Sequence, residues 1–252
     1  MTDNNIVINT PNPNSVTENT EIGRATNFAH RISKTHCYID ESDKWHIFNG
    51  NIWKEENKKF LHAEALEFFK ENASEISIIE DERDRNDETR EFQRHANRSS
   101  VNNLVELASC QLIKSIDDFD TDLNALAVES GWINLKDARH FNPSPDMMFS
   151  KCTSVPYFKD AAAPLWRKTI LQVFDGDKAM AEYFQRAVGY SLLGENKEQC
   201  LFICYGSGAN GKSLLLETIK DVLGSYGQSM PIAASSKGRL LLELQTLKLQ
   251  DC

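Results

Sequence analysis

The run Gly206-Ser-Gly-Ala-Asn-Gly-Lys-Ser213 fits the pattern G-x-x-x-x-G-K-[ST] at every fixed position, and it constrains the fold more tightly than any other stretch of the chain. At average residue frequencies the four fixed positions coincide by chance in roughly one chain in a hundred of this size. The pattern works where a strand, a glycine-rich turn and a helix follow one another. Leu201-Phe-Ile-Cys-Tyr205 accordingly predicts a short buried strand, and residues 214–223 predict a helix closed by Gly224. Glycines let backbone N–H groups close around a phosphate oxygen where a Cβ would clash, and a helix N-terminus adds partial positive charge at the same place. The expected ligand is therefore a nucleoside triphosphate, ATP, with Mg²⁺. The backbone of Gly206, Ser207, Gly208, Ala209, Asn210 and Gly211 would cradle phosphate. Lys212 would reach the β- and γ-phosphates, and the Ser213 hydroxyl would sit on the metal.

Composition narrows the class. Of 252 residues, 40% are hydrophobic and 26% charged, the balance of a soluble globular protein. No stretch approaches the 18 apolar residues of a membrane span, and the polar N-terminus lacks a basic-then-apolar signal, so a cytoplasmic protein is expected. Cys37, Cys110, Cys152, Cys200, Cys204 and Cys252 form no CxxC pair, which argues for reduced structural thiols over a zinc site. Cys200 and Cys204 would share one face of the strand before the loop as small buried hydrophobes. The net charge of −9 is uneven: residues 151–252 carry 12 Lys/Arg against 10 Asp/Glu, and residues 1–150 carry 16 against 27. An acidic first half argues against a broad nucleic-acid footprint there.

Along the chain, residues 1–20 read as a disordered lead. Residues 21–35 carry a helical stripe of Ile22, Ala25, Phe28, Ala29 and Ile32. Lys44-Trp-His-Ile-Phe-Asn-Gly-Asn-Ile-Trp-Lys54 predicts two aromatic strands about a type I′ turn at Asn49-Gly50, with Trp45 and Trp53 as cross-strand neighbours packed in a core instead of stacking on a nucleobase. Helices are expected over 61–72, with Leu61, Ala65, Leu66, Phe68 and Phe69, and over 101–113. Between them lies a solvated charge run at 80–88. Short strands are expected at 123–128 and 132–135. Asp117, Asp118, Asp120 and Asp122 could pair around a metal, but turn and cap duty is the simpler reading. Pro164 opens a helix, Asp175-Gly-Asp177 forms a turn and N-cap, and a helix over 178–193 stops at Gly194.

These segments together resemble the phage and plasmid primase-helicases. Leu123-Asn-Ala-Leu-Ala-Val128 followed by Gly131-Trp-Ile-Asn-Leu135 resembles that family's D-x-x-x-L-x-V-x-x-G-x-I-x-L-like run. Tyr183-Phe-Gln-Arg-Ala-Val-Gly-Tyr-Ser-Leu-Leu-Gly194 looks like its helix just ahead of the ATPase. The loop with Asn210 before Gly-Lys is similar to the G-x-G-x-N-G-K-S loop of superfamily 3 helicases, and the Trp45 to Trp53 hairpin fits the pre-helicase domain. The resemblance covers roughly residues 25–230. It implies an α/β chain: a mainly helical pre-helicase domain with a small β-hairpin over 21–194, then the start of an AAA-like P-loop ATPase domain over 195–252. It further implies a replication protein, an ATP-dependent helicase or primase of a phage, plasmid or prophage, acting on single-stranded or forked DNA. A homo-oligomeric ring, usually a hexamer, is implied where the full ATPase domain is present.

Two departures shape the expectation. No primase domain precedes the pre-helicase region, and 39 residues follow Ser213. Within them Glu243 and Asp251 occur, but no apolar strand ending in paired acids, no sensor Asn and no arginine finger is recognisable. A C-terminal truncation is the expected account, leaving nucleotide binding without turnover, since positioning and charge stabilisation supply nearly all phosphoryl-transfer catalysis. Two alternatives stay open: a self-contained P-loop NTPase or kinase, and a non-catalytic module that associates with a full-length helicase ring.

Overall fold

Helical periodicity in the first half of the chain dictates where the first core forms. The computed structural model describes residues 20–229 apart from 96, 207 and 209; the expected disordered lead lies, but for Thr20, outside the described residues, as do Glu243, Asp251 and Cys252. The fold is mixed α/β, with small sheets beside helices. It divides into two compact units, one of residues 1–49 and 54–116, the other of 50–53 and 117–252.

In the first unit, helix α1 (Glu21–Ile32) starts where Thr20 accepts a hydrogen bond from the Gly23 N–H at 3.0 Å. Helix α2 (Lys58–Ser77) starts at Asn57, whose side chain accepts from the Lys59 N–H, and α4 (Arg98–Ser109) starts at Asn97 in the same way. Each presents an apolar stripe, at i, i+3, i+4 and i+7 in α1 (Ala25, Phe28, Ala29, Ile32) and α4 (Val101, Leu104, Val105, Ala108), and at i, i+4, i+7 and i+8 in α2 (Leu61, Ala65, Phe68, Phe69). These fuse into one core with Trp45, in which the Phe28 and Phe68 rings lie 5.5 Å apart. Between α2 and α4, helix α3 (Glu82–His95) incorporates the charge run and adds the half-buried Phe92, whose ring faces Phe69.

Beside these helices, β1 (His36–Ile39), β2 (Lys44–Phe48), β3 (Trp53–Glu56) and β4 (Ile113–Lys114) form a sheet of order β3-β2-β1-β4. β1 pairs antiparallel with β2, Tyr38 opposite Trp45, and parallel with β4, Tyr38 opposite Ile113. Several expectations shift here. Leu66 is exposed, because it falls on the side of α2 away from Leu61 and Phe68. Helix α4 ends at Ser109, four residues early, since Ile113 is drawn into pairing with β1. The hairpin does not close through a two-residue turn: residues 49–52 connect β2 to β3, and only Gly50 has a positive φ, +94°. A type I′ turn needs positive φ at both central residues, and Asn49 does not supply it. Trp45 and Trp53 are both core residues, at 3% and 4% exposure, which removes them from any nucleobase platform.

The second unit is built around β5 (Ala125–Val128), which is buried on both faces. Ala125 and Ala127 face a cluster with Ile52 and Phe149; Leu126 and Val128 face another with Ile133. β5 pairs antiparallel with β6 (Gly131–Asn134), which pairs with β7 (Arg139–Phe141). Gly131 has φ +136° and sits so close to β7 that a Cβ there would meet the Phe141 carbonyl at 2.0 Å. The registered pair Trp132–Phe141 stacks at 4.3 Å. Helices α5 (Pro164–Val173), α6 (Lys178–Tyr190) and α7 (Lys212–Leu223) complete the unit. Asp177 caps α6 through the Met180 N–H at 3.0 Å, as expected. α6 ends at Tyr190, ahead of Gly194, whose N–H donates to the Leu123 carbonyl.

Two outcomes follow. Replacing Phe28 by Ala empties the centre of the first core, and should lower stability by about 3–5 kcal/mol in urea unfolding followed by far-ultraviolet circular dichroism. Burial lowers the pKa of both His36 and His46, with Glu64 opposing it at His36. A histidine whose folded pKa is depressed stabilises the fold above its unfolded pKa of about 6.5 and loses that contribution as pH falls. The urea midpoint should therefore drop between pH 7.5 and 5.5, and His36→Gln should flatten that slope.

Candidate functional site

The loop preceding α7 is shaped by packing against the helix before it. Gly211 is the N-cap residue of α7, with φ +82°, and a Cβ on it would lie 2.5 Å from Val173 Cγ2 at the end of α5. Both the dihedral and the close approach require glycine. Having no side chain, Gly211 leaves the first turn of α7 without a side-chain cap, so its orphan N–H groups and dipole remain for an anion. Lys212 and Ser213 are the first two residues of that helix, and the Ser213 side chain is exposed. Gly208 has φ +95°. Ser207 and Ala209 lie outside the described residues. Asn210 turns its amide oxygen to the Lys212 ammonium, which donates to it at 2.5 Å. The structure thus brings Gly206, Asn210, Gly211, Lys212 and Ser213 to one helix start.

The expected strand before the loop is not formed. Residues 201–205 make no ladder, and Leu201 and Tyr205 are 57% and 87% exposed. A strand is held by its neighbour's backbone groups, and no described segment pairs with this one. Cys200 and Cys204, expected as buried thiols, are exposed for the same reason. Residues 201–205 instead wall an apolar trough of about 500 Å³, lined also by Phe174, Phe184, Val188, Leu215 and Ile219, with Asn210 and Lys212.

The far end of α7 is anchored firmly. The Ser225 N–H donates to the Cys152 carbonyl at 3.0 Å, and the Ser154 N–H donates to the Val222 carbonyl at 3.1 Å. The Cys152 N–H donates to Ser225 Oγ at 2.7 Å, and the Ser154 hydroxyl donates to the Asp221 carbonyl. Tyr226 then reaches β5, where its hydroxyl accepts from the Ala127 N–H at 3.2 Å. Burial pushes the Tyr226 phenol well above its usual pKa, so it stays neutral. Sequence reading missed this anchor. Its only trace was Gly224, read as a helix stop, which also lies too close to Cys152 O and Ser154 N to carry a Cβ.

Within the acidic group at 117–122, Asp120 and Asp122 serve the backbone. Asp120 accepts from the Ser150 N–H at 3.0 Å and from the Ser150 hydroxyl, while burial raises its pKa against those bonds. Asp122 accepts from the Asn124 N–H. Among the described residues, no group of three His, Cys, Asp or Glu side chains could hold a metal, and no helix is long and apolar enough to cross a membrane.

Replacing Tyr226 by Phe leaves the buried Ala127 N–H without its acceptor. Stability should fall by about 1–3 kcal/mol in denaturant unfolding. An unchanged midpoint would mean that the anchor does not hold β5.

Residues 25–175 match the family described as "D5 N terminal like". The chain is also similar to "Putative helicase L207/L206" of Acanthamoeba polyphaga mimivirus, at 26% identity over 225 residues, covering 81% of this chain and 23% of that protein. It spans about a quarter of the length of the relative it matches. With three-fifths of its length inside the family's match, this chain belongs to the D5 N-terminal-like family.

Proposed function

We propose that the chain binds ATP with Mg²⁺ at residues 206–213 and forms part of an ATP-dependent DNA helicase or primase of the superfamily 3 type, working in replication. One observation carries this reading: a complete phosphate-loop motif stands at the uncapped start of α7, downstream of the region matching the D5 N-terminal-like family. The similarity to a protein named as a helicase supports the same direction. In this reading the N–H groups of the first turn and the loop backbone hold the β-phosphate, Lys212 neutralises the β- and γ-oxygens, and the Ser213 hydroxyl helps hold Mg²⁺. When bound, Mg²⁺ would supply positive charge that offsets the phosphates, with the Ser213 hydroxyl among the groups that would hold it. Single-stranded or forked DNA would be the substrate of the whole ring-forming protein, with nucleotide binding here as its first step.

Equilibrium titration with a fluorescent ATP analogue tests the reading. Wild-type chain should bind in a Mg²⁺-dependent way, and Lys212→Ala should weaken binding at least about tenfold, the equivalent of some 1.4 kcal/mol. Ser213→Ala should lose most of the Mg²⁺ dependence while keeping the fold. Binding that Lys212→Ala leaves unchanged would sink it.

A further inference from the structure

Resting on that nucleotide-binding reading, we propose that Asn210 is a positioning residue that holds Lys212 in the nucleotide-free loop and hands it over when phosphate enters. Lys212 is half-buried and lines an apolar trough, where an ammonium without an acceptor is costly. An ammonium only donates, so the Asn210 oxygen must face it and the amide nitrogen must point the other way. That nitrogen lies over Gly206: a Cβ there would come within 2.2 Å of Asn210 Nδ2 and 3.2 Å of Lys212 Nζ. The amide therefore spans the loop from its first glycine to its lysine, in a space that exists only because residue 206 has no side chain.

The chemistry of the amide suits a temporary partner. A neutral oxygen satisfies the ammonium in place of phosphate, yet a charged phosphate oxygen makes the stronger hydrogen bond and displaces it. Holding the lysine also removes rotamer freedom before the ligand arrives, which lowers the ordering cost of binding. A carboxylate at the same position would do the opposite. It would keep the lysine as an ion pair and repel the incoming phosphates.

Two measurements on the full chain test this. In the absence of nucleotide, an amine-reactive acylating reagent with mass-spectrometric readout should modify Lys212 several-fold faster in Asn210→Ala than in wild type, with the other lysines unchanged. In titration with the fluorescent ATP analogue, Asn210→Ala should bind about three- to tenfold more weakly, and Asn210→Asp more weakly still, with part of the loss recovered at high salt. Equal labelling of Lys212 in wild type and Asn210→Ala would overturn the proposal, as would Asn210→Asp binding as well as wild type. Failure of every variant and of wild type to bind ATP would overturn the nucleotide reading instead, because the labelling step uses no nucleotide.

Discussion

The second unit depends on how the open edge of β5 is closed. β5 is at one side of its three-stranded sheet, so among the described residues its outer backbone groups meet no further strand, and an unprotected edge is a liability. Three separate stretches of chain take those groups. Tyr226 accepts from the Ala127 N–H, the Thr153 N–H donates to the Ala127 carbonyl at 3.0 Å, and the Asn51 amide donates to the Val128 carbonyl at 2.9 Å. Because Tyr226 belongs to the turn that follows α7, satisfying β5 also fixes the helix that starts at the phosphate loop. Its far end is bound to residues 152–154 by several hydrogen bonds and to β5 through Tyr226, while its near end meets α5 through the close approach of Gly211 to Val173. The site is thereby held from behind, leaving the N-terminus of α7 open toward a ligand.

The same arrangement explains the pattern shared with the primase-helicases. In Ala125-Leu-Ala-Val128 every residue is buried, so the run reads as apolar without alternation, as a strand covered on both faces must. Gly131 is fixed by the close approach of β7, and Ile133 packs on Leu126 and Val128. The residues that carry the resemblance here are those that build the core behind α7. The residues of the phosphate-loop motif, 206–213, are a separate set.

Legibility in the sequence followed the range of the interaction. Helices α1, α2 and α4 were readable because their 3.6-residue apolar stripes are local, and so were β5, β6 and the Asp177 cap. Strand β1 escaped notice since its four residues, His36 to Ile39, have a pattern meaningful only beside β2 and β4. β7 escaped because Arg139, His140 and Phe141 are all exposed and show no alternation. The reading of 201–205 as a strand erred in the other direction: apolar content alone predicts burial, but a ladder needs a pairing partner. At the site, the motif located the helix start, Gly211 and Lys212. The Asn210–Lys212 contact and the Tyr226 anchor depend on side-chain directions that spacing does not encode.

Residues 50–53 have a further consequence. They are contiguous with the first unit on both sides, yet Ile52 packs with Ala125, Ala127 and Phe149, and the Trp53 indole N–H donates to the Pro145 carbonyl. The chain therefore passes into the second unit, returns, and enters it again after Ile116. No single cleavage point separates the two. A fragment beginning at Asp117 would carry the phosphate loop and its helix but would lack a side chain at the centre of its own core. A fragment ending at Ile116 would carry two large apolar groups with nothing to fill.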